Sequence, residues 1–68
     1  MNEIIFVIEE AEEGGYIANS LGVDIFTQGE TMEELKLMIK DAVKLYFGND
    51  ELPKMIRLHF VKDEVIAI

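Results

Sequence analysis

The sequence predicts one α+β domain of βββαβ(β) order, an antiparallel meander sheet with one amphipathic helix packed on one face. Three observations predict it. Short apolar or alternating runs rich in β-branched residues occur before residue 28, and these have the period of strands. A single stretch of helical periodicity follows, opened by Thr31 with Glu34 three residues on, which is capping-box spacing. Glycines and one proline then fall between the periodic segments, where turns need them.

The first strand is expected over residues 3–9. Ile4, Ile5, Phe6, Val7 and Ile8 form a continuous apolar run, and such a run reads as a strand covered on both faces. Residues 10–15 read as a hairpin turn, with Glu10, Glu12 and Glu13 exposed and Gly14-Gly15 supplying the dihedrals other residues resist. A second strand over residues 16–20 places Tyr16, Ala18 and Ser20 on one face and Ile17 and Asn19 on the other. Leu21-Gly22 bends the chain into a third strand over residues 23–27, where Phe26 breaks the alternation begun by Val23 and Ile25. Short links between consecutive strands favour a meander.

Thr31 is the expected helix N-cap, with Glu33 and Glu34 at the positive end of the helix dipole and Lys36, Lys40 and Lys44 following. Leu35, Ile39, Ala42, Val43 and Tyr46 make the buried stripe, with Met32 and Met38 at its margins. Gly48-Asn49 stops the helix, and residues 49–53 form a polar loop. A fourth strand over residues 55–61 carries Ile56, Leu58 and Phe60 on one face and Arg57, His59 and Val61 on the other. Lys62-Asp63-Glu64 reads as a tight turn, after which residues 65–68 fold back as a hairpin strand or pair with another subunit.

All 68 residues belong to one domain, since a chain this short does not bury two cores. There are no cysteines, so disulfides and thiolate metal sites are excluded, and self-association as a dimer or tetramer is the expected reinforcement of a small core. The net charge of −8 repels phosphate backbones, so direct nucleic-acid binding is not expected, while a basic protein partner is. Solubility is the plainer use of the same charge. No apolar run approaches membrane-spanning length, and the segment opening on Asn2 and Glu3 has no basic signal-peptide region. A cytoplasmic protein is the expectation.

Chemistry-bearing residues are few. His59 is the single histidine, so neither a histidine-based zinc site nor a Ser-His-Asp set can be assembled from a pair; a structural histidine is the expectation. Glu9, Glu10, Glu12 and Glu13 are the right chemistry for a hard cation, but their spacing fits no calcium loop, and a solvated hairpin tip is expected. Ser20, Asp24 and Gln28 are polar residues near the third strand, with nothing to orient them as an acid–base pair. No catalytic residue, cofactor or metal is therefore assigned, and the chain is not expected to be an enzyme. The residues singled out for an interface are Arg57, His59, Val61, Val65, Ile66 and Ile68, with Ile5, Val7 and Ile17 on the sheet face that one helix would leave open.

The segment Ile25-Phe26-Thr27-Gln28-Gly29-Glu30-Thr31-Met32-Glu33-Glu34-Leu35 resembles the signature of the HicB-like antitoxin family, in which a strand and a T-x-G-x-T link lead to an acidic pair opening an amphipathic helix. Upstream, Glu12-Glu13-Gly14-Gly15-Tyr16-Ile17-Ala18 is similar to that family's acidic-glycine-aromatic hairpin; downstream, Ile39-Lys40-Asp41-Ala42-Val43-Lys44-Leu45-Tyr46 is similar to its helix ending. The likeness covers roughly residues 3–47. Within it, Gly14, Gly15, Gly29, Thr31 and Glu34 have structural roles: Gly29 is expected to take a dihedral other residues resist, Thr31 to cap, and Thr27 to satisfy a backbone group at the strand end. The resemblance implies a partial RNase-H-like sheet crossed by one helix, commonly dimeric or higher. It also implies a small basic messenger-RNA-cleaving toxin as partner. Many family members carry a further DNA-binding segment; residues 55–68 are apolar and strand-like, which implies a member without that reader.

Overall fold

In the computed structural model, residues 2–48 and 51–68 are described; Asn49, part of the expected helix stop, lies outside them. They contain four strands and one helix in the order β1 (Glu3–Glu10), β2 (Tyr16–Ser20), β3 (Phe26–Gly29), α1 (Met32–Phe47) and β4 (Met55–Phe60). The sheet runs β3-β2-β1-β4. The expected meander is present in β1 to β3, which pair antiparallel, but β4 lies parallel to β1, so the sheet is mixed. The link through α1 makes this possible, because a parallel neighbour requires a long crossover.

The β1 run is covered on one face rather than two. Ile4, Phe6 and Ile8 are buried under α1, whereas Ile5 and Val7 on the opposite face are half-buried. Ala18 and Thr27 continue the buried face across β2 and β3, and Leu35, Ile39 and Val43 close it from the helix. Thr27 thus lies opposite Ala18 in the core layer instead of serving the strand end.

The third strand begins three residues later than expected. Residues 23–25 are held off the sheet by Ser20, whose hydroxyl donates to the Val23 carbonyl (2.6 Å) and accepts from the Ile25 N–H (3.0 Å). Ile25 is buried while Phe26, the first residue of β3, points to the open face, which explains the broken alternation. The fourth strand ends at Phe60, one residue early, although the Val61 N–H still donates to the Ile8 carbonyl at 2.9 Å.

The helix starts as its cap predicts. The Glu34 N–H donates to Thr31 Oγ1 (3.1 Å), and the Glu34 carboxylate reaches back to accept from the Glu30 N–H (3.3 Å). Gly48 ends it with φ 71° and an N–H bonded to the Lys44 carbonyl. Tyr46 is exposed, not buried, and Phe47 is packed against the core instead; Met38 is exposed at the margin of the stripe. The helix lies nearest β3, an edge strand, so the flank carrying Met38, Ala42 and Tyr46 overhangs that edge.

Beyond β4, residues 61–68 form no strand, and the expected turn at Lys62-Asp63-Glu64 is absent. The segment projects, giving extents of 52 × 20 × 17 Å. The Cα radius of gyration is 13.3 Å, against about 11 Å for a compact chain of this length.

Candidate protein-binding surface

Pairing register decides which side chains share a surface. At one end of the sheet, Glu10, Tyr16 and Gly29 lie in one row across β1, β2 and β3. The β1–β2 hairpin turns immediately beyond, where the Ala11 N–H donates to the Gly15 carbonyl at 3.0 Å and the Gly14 N–H to the Ala11 carbonyl at 3.1 Å. Gly14 and Gly15 hold φ of 100° and 79° there, values that only glycine adopts without strain. The start of α1 meets the same end. Seven of the fourteen acidic residues therefore converge: Glu9, Glu10, Glu12, Glu13, Glu30, Glu33 and Glu34.

Between hairpin and helix lies an open recess of about 480 Å³, lined by Glu13, Glu30 and Glu34 together with Tyr16, Gln28 and Met38. Carboxylates dominate that lining, with aromatic Tyr16 and the thioether residue Met38 beside them. Such a lining complements cationic side chains with apolar stems. Sequence reasoning reached the hairpin glutamates but not the recess, because Glu13 and Glu34 meet only through the β2–β3 pairing. Among the described residues, no group of three or more His, Cys, Asp or Glu side chains is placed to hold a metal ion.

Gly29 joins the two halves of this end, though not as expected. Its φ is not positive. Instead a Cβ there would stand 2.7 Å from the Leu35 backbone nitrogen, and one on Gly15 would stand 2.8 Å from the Gly29 carbonyl oxygen. Close approach of the helix start to the sheet is the reason for glycine at residue 29.

The open sheet face is a second surface. It carries half-buried Ile5, Val7 and Ile17 and exposed Phe26 and Met55, with polar Asn19 between Val7 and Phe26 and with Gln28 and His59 on the two edge strands. His59 stands beside Val7, and Arg57 beside Ile5. Ser20, Asp24 and Gln28 do not form a site: Ser20 is used in its loop, Asp24 is exposed, and Gln28 is on the opposite face from Ser20.

Arg57 spans to Glu3, with Nε donating to Oε1 and Nη2 to Oε2 at 3.1 Å; among the described residues this is the one ion pair. The hydrogen bonds from Arg57 hold the Glu3 carboxyl below the usual carboxylate range, and Glu3 raises Arg57 in turn. A lowered carboxyl contributes stability above its unfolded pKa, lost as pH falls through the folded value. Glu3 is therefore expected to titrate by carboxyl-carbon NMR below the ordinary value of about 4.3, and to return to it in Arg57→Ala. An unmoved midpoint in that variant would remove the pair from the account; the stability effect is small because both groups meet solvent.

The expected interface residues divide. Arg57 and His59 are on the open face, whereas Val65, Ile66 and Ile68 are on the projecting arm with exposures of 93%, 79% and essentially complete. Val61 sits where strand and arm meet. Among the described residues, no helix is long and apolar enough to cross a membrane.

The chain is 52% identical over 66 residues to a UPF0150 protein of Thermotoga maritima, covering 97% of this chain and 93% of that one. It is 50% identical over 52 residues to a UPF0150 protein of Archaeoglobus fulgidus, covering 76% and 77%. No family model matches the sequence, and no solved structure matches it.

Proposed function

The chain belongs to the UPF0150 family of small proteins, and we propose that it is a non-catalytic binding module whose acidic end receives a basic protein. The HicB-like signature carries this further, to an antitoxin that covers the RNA-binding surface of a small basic messenger-RNA-cleaving toxin. The observation that supports the reading is the acidic end itself, where hairpin and helix start frame a recess of about 480 Å³ with Glu13, Glu30 and Glu34 on its walls. A surface of this sign repels RNA and attracts the protein that binds RNA. The reading is of a cytoplasmic protein that neither needs a cofactor nor contacts DNA itself.

Co-expression with the product of the adjacent gene, or with a panel of small basic ribonucleases, tests this. Retrieval of a basic protein whose RNA cleavage is blocked is expected. Glu13→Lys with Glu30→Lys should slow association by on the order of tenfold and flatten its salt dependence. A chain that retrieves and inhibits none of them would refute the reading.

A second reading, an oligomeric scaffold without a toxin, is favoured by the open sheet face, which carries Ile5, Val7, Ile17 and Phe26. Light scattering separates it from the first: a stable dimer or tetramer supports it, and a well-folded monomer counts against it.

A further inference from the structure

We infer that residues 61–68 are an exchange arm that pairs antiparallel with the free edge of β4 in a second copy of this chain, each copy giving one arm and receiving one. This rests on the self-association reading and says where the contact lies.

The edge is available. β4 is the last strand of the sheet, with β1 on one side and, among the described residues, no strand on the other. It has neither proline nor a bulge, and its one charged residue, Arg57, is paired with Glu3 of β1. The helix, set toward β3, leaves the core side of β4 poorly covered: Ile56 and Leu58 are only half-buried and Phe60 is 58% exposed. A groove of about 190 Å³ remains there between Ile39, Ile56 and Leu58, rimmed by Lys36 and Lys40.

The arm is made for that edge. It continues β4 directly, so residues 58–68 can form one extended run of roughly 36 Å. It makes no hairpin within its own chain. A three-residue hairpin loop wants a residue at positive φ, normally glycine, and Lys62-Asp63-Glu64 offers none. Exposed Val65, Ile66 and Ile68 have no partner in the described residues of this chain.

Symmetry then selects a register. A two-fold axis relating antiparallel strands of one sheet keeps each side chain on its own face. Even-numbered residues of the arm, continuing β4's alternation, must therefore meet even-numbered residues of the partner. Placing Phe60 opposite Ile66 and Leu58 opposite Ile68 also places Lys62 opposite Glu64 and Val61 opposite Val65. Apolar meets apolar and Lys62 meets Glu64, while Asp63 meets its own copy on the axis, where both carboxylates are exposed to solvent beyond Phe60. Because the operator closes, two copies satisfy each other and no filament grows.

Cysteine substitution tests the register cleanly, since the chain has no cysteine of its own. A Val61→Cys chain mixed with a Val65→Cys chain is expected to give a disulfide-linked dimer under mild oxidation, and neither chain alone should. Light scattering of the parent should give twice the 7.8 kDa chain mass. Ile66→Asp with Ile68→Asp should reduce it to that of one chain while keeping the helical circular dichroism signal, because these side chains are exposed in their own fold. A parent monomer would overturn both this inference and the self-association reading. A dimer that keeps its mass in the aspartate variant, or a mixture that gives no mixed disulfide, would overturn the arm exchange alone. So would an intrachain disulfide in the Val61→Cys, Val65→Cys double variant.

Discussion

Phe6→Ala is expected to leave the chain largely unfolded at room temperature. Phe6 lies midway along β1, one of the two inner strands, with Ser20 on one side, Leu58 on the other and the helix above, and it has no exposed surface. Truncating a buried phenylalanine costs about 3–5 kcal/mol, the lost transfer free energy plus the cavity left behind. The total stability of a 68-residue domain is roughly 3–10 kcal/mol at the usual value per residue. The loss is thus a large part of the whole. The adjacent Val7→Ala supplies the contrast, because Val7 is half-buried on the open face and its truncation should cost about 1 kcal/mol. Thermal melts followed by circular dichroism give both values. Equal losses at the two positions would mean that both faces of β1 are covered, as the sequence by itself suggests, and that a second subunit rather than solvent lies on the open side.

That contrast also marks how far the fold could be read in advance. Period-two alternation placed Tyr16, Ala18 and Ser20 on one face of β2 because a half-covered strand writes its orientation into residue type. The Thr31–Glu34 box is equally legible, since both partners lie within one turn. β1 carries no such alternation, so its uniform apolar run could not reveal that only one face is covered. The parallel pairing of β4 with β1 was hidden for another reason: no local pattern encodes which sheet edge a strand joins after a crossover. The Glu3–Arg57 pair, 54 residues apart, follows from that topology alone. The acidic hairpin was visible, but its meeting with Glu30 and Glu34 depends on β2–β3 register. In β3, one hydroxyl outweighed propensity: Ser20 ties down Val23 and Ile25, and the strand starts only at Phe26.

Gly29→Ala is the second large effect expected, and it separates two reasons for a glycine. If residue 29 needed an unusual dihedral, alanine would fail through backbone strain. Its φ is ordinary, and in a strand of ordinary dihedrals alanine is intrinsically better than glycine. The obstacle is contact: the new Cβ would stand 2.7 Å from the Leu35 nitrogen, 2.9 Å from its Cα and 3.2 Å from its Cβ. Two of these atoms are backbone, so no rotamer change relieves them. The first turn of α1 must lift from the sheet, disturbing the fully buried Leu35 and the Thr31 and Glu34 hydrogen bonds that start the helix. Overpacking of this kind costs about 1–3 kcal/mol. Gly14→Ala is the complementary control, with open space around the Cβ but φ at +100°, so its cost of about 1–2 kcal/mol is conformational. Amide exchange distinguishes them: Gly29→Ala should speed exchange in the first turn of α1, whereas Gly14→Ala should speed it in the hairpin. A stable Gly29→Ala chain with an undisturbed helix start would show that the sheet and helix have room to part, and would remove close approach as the reason for glycine at residue 29.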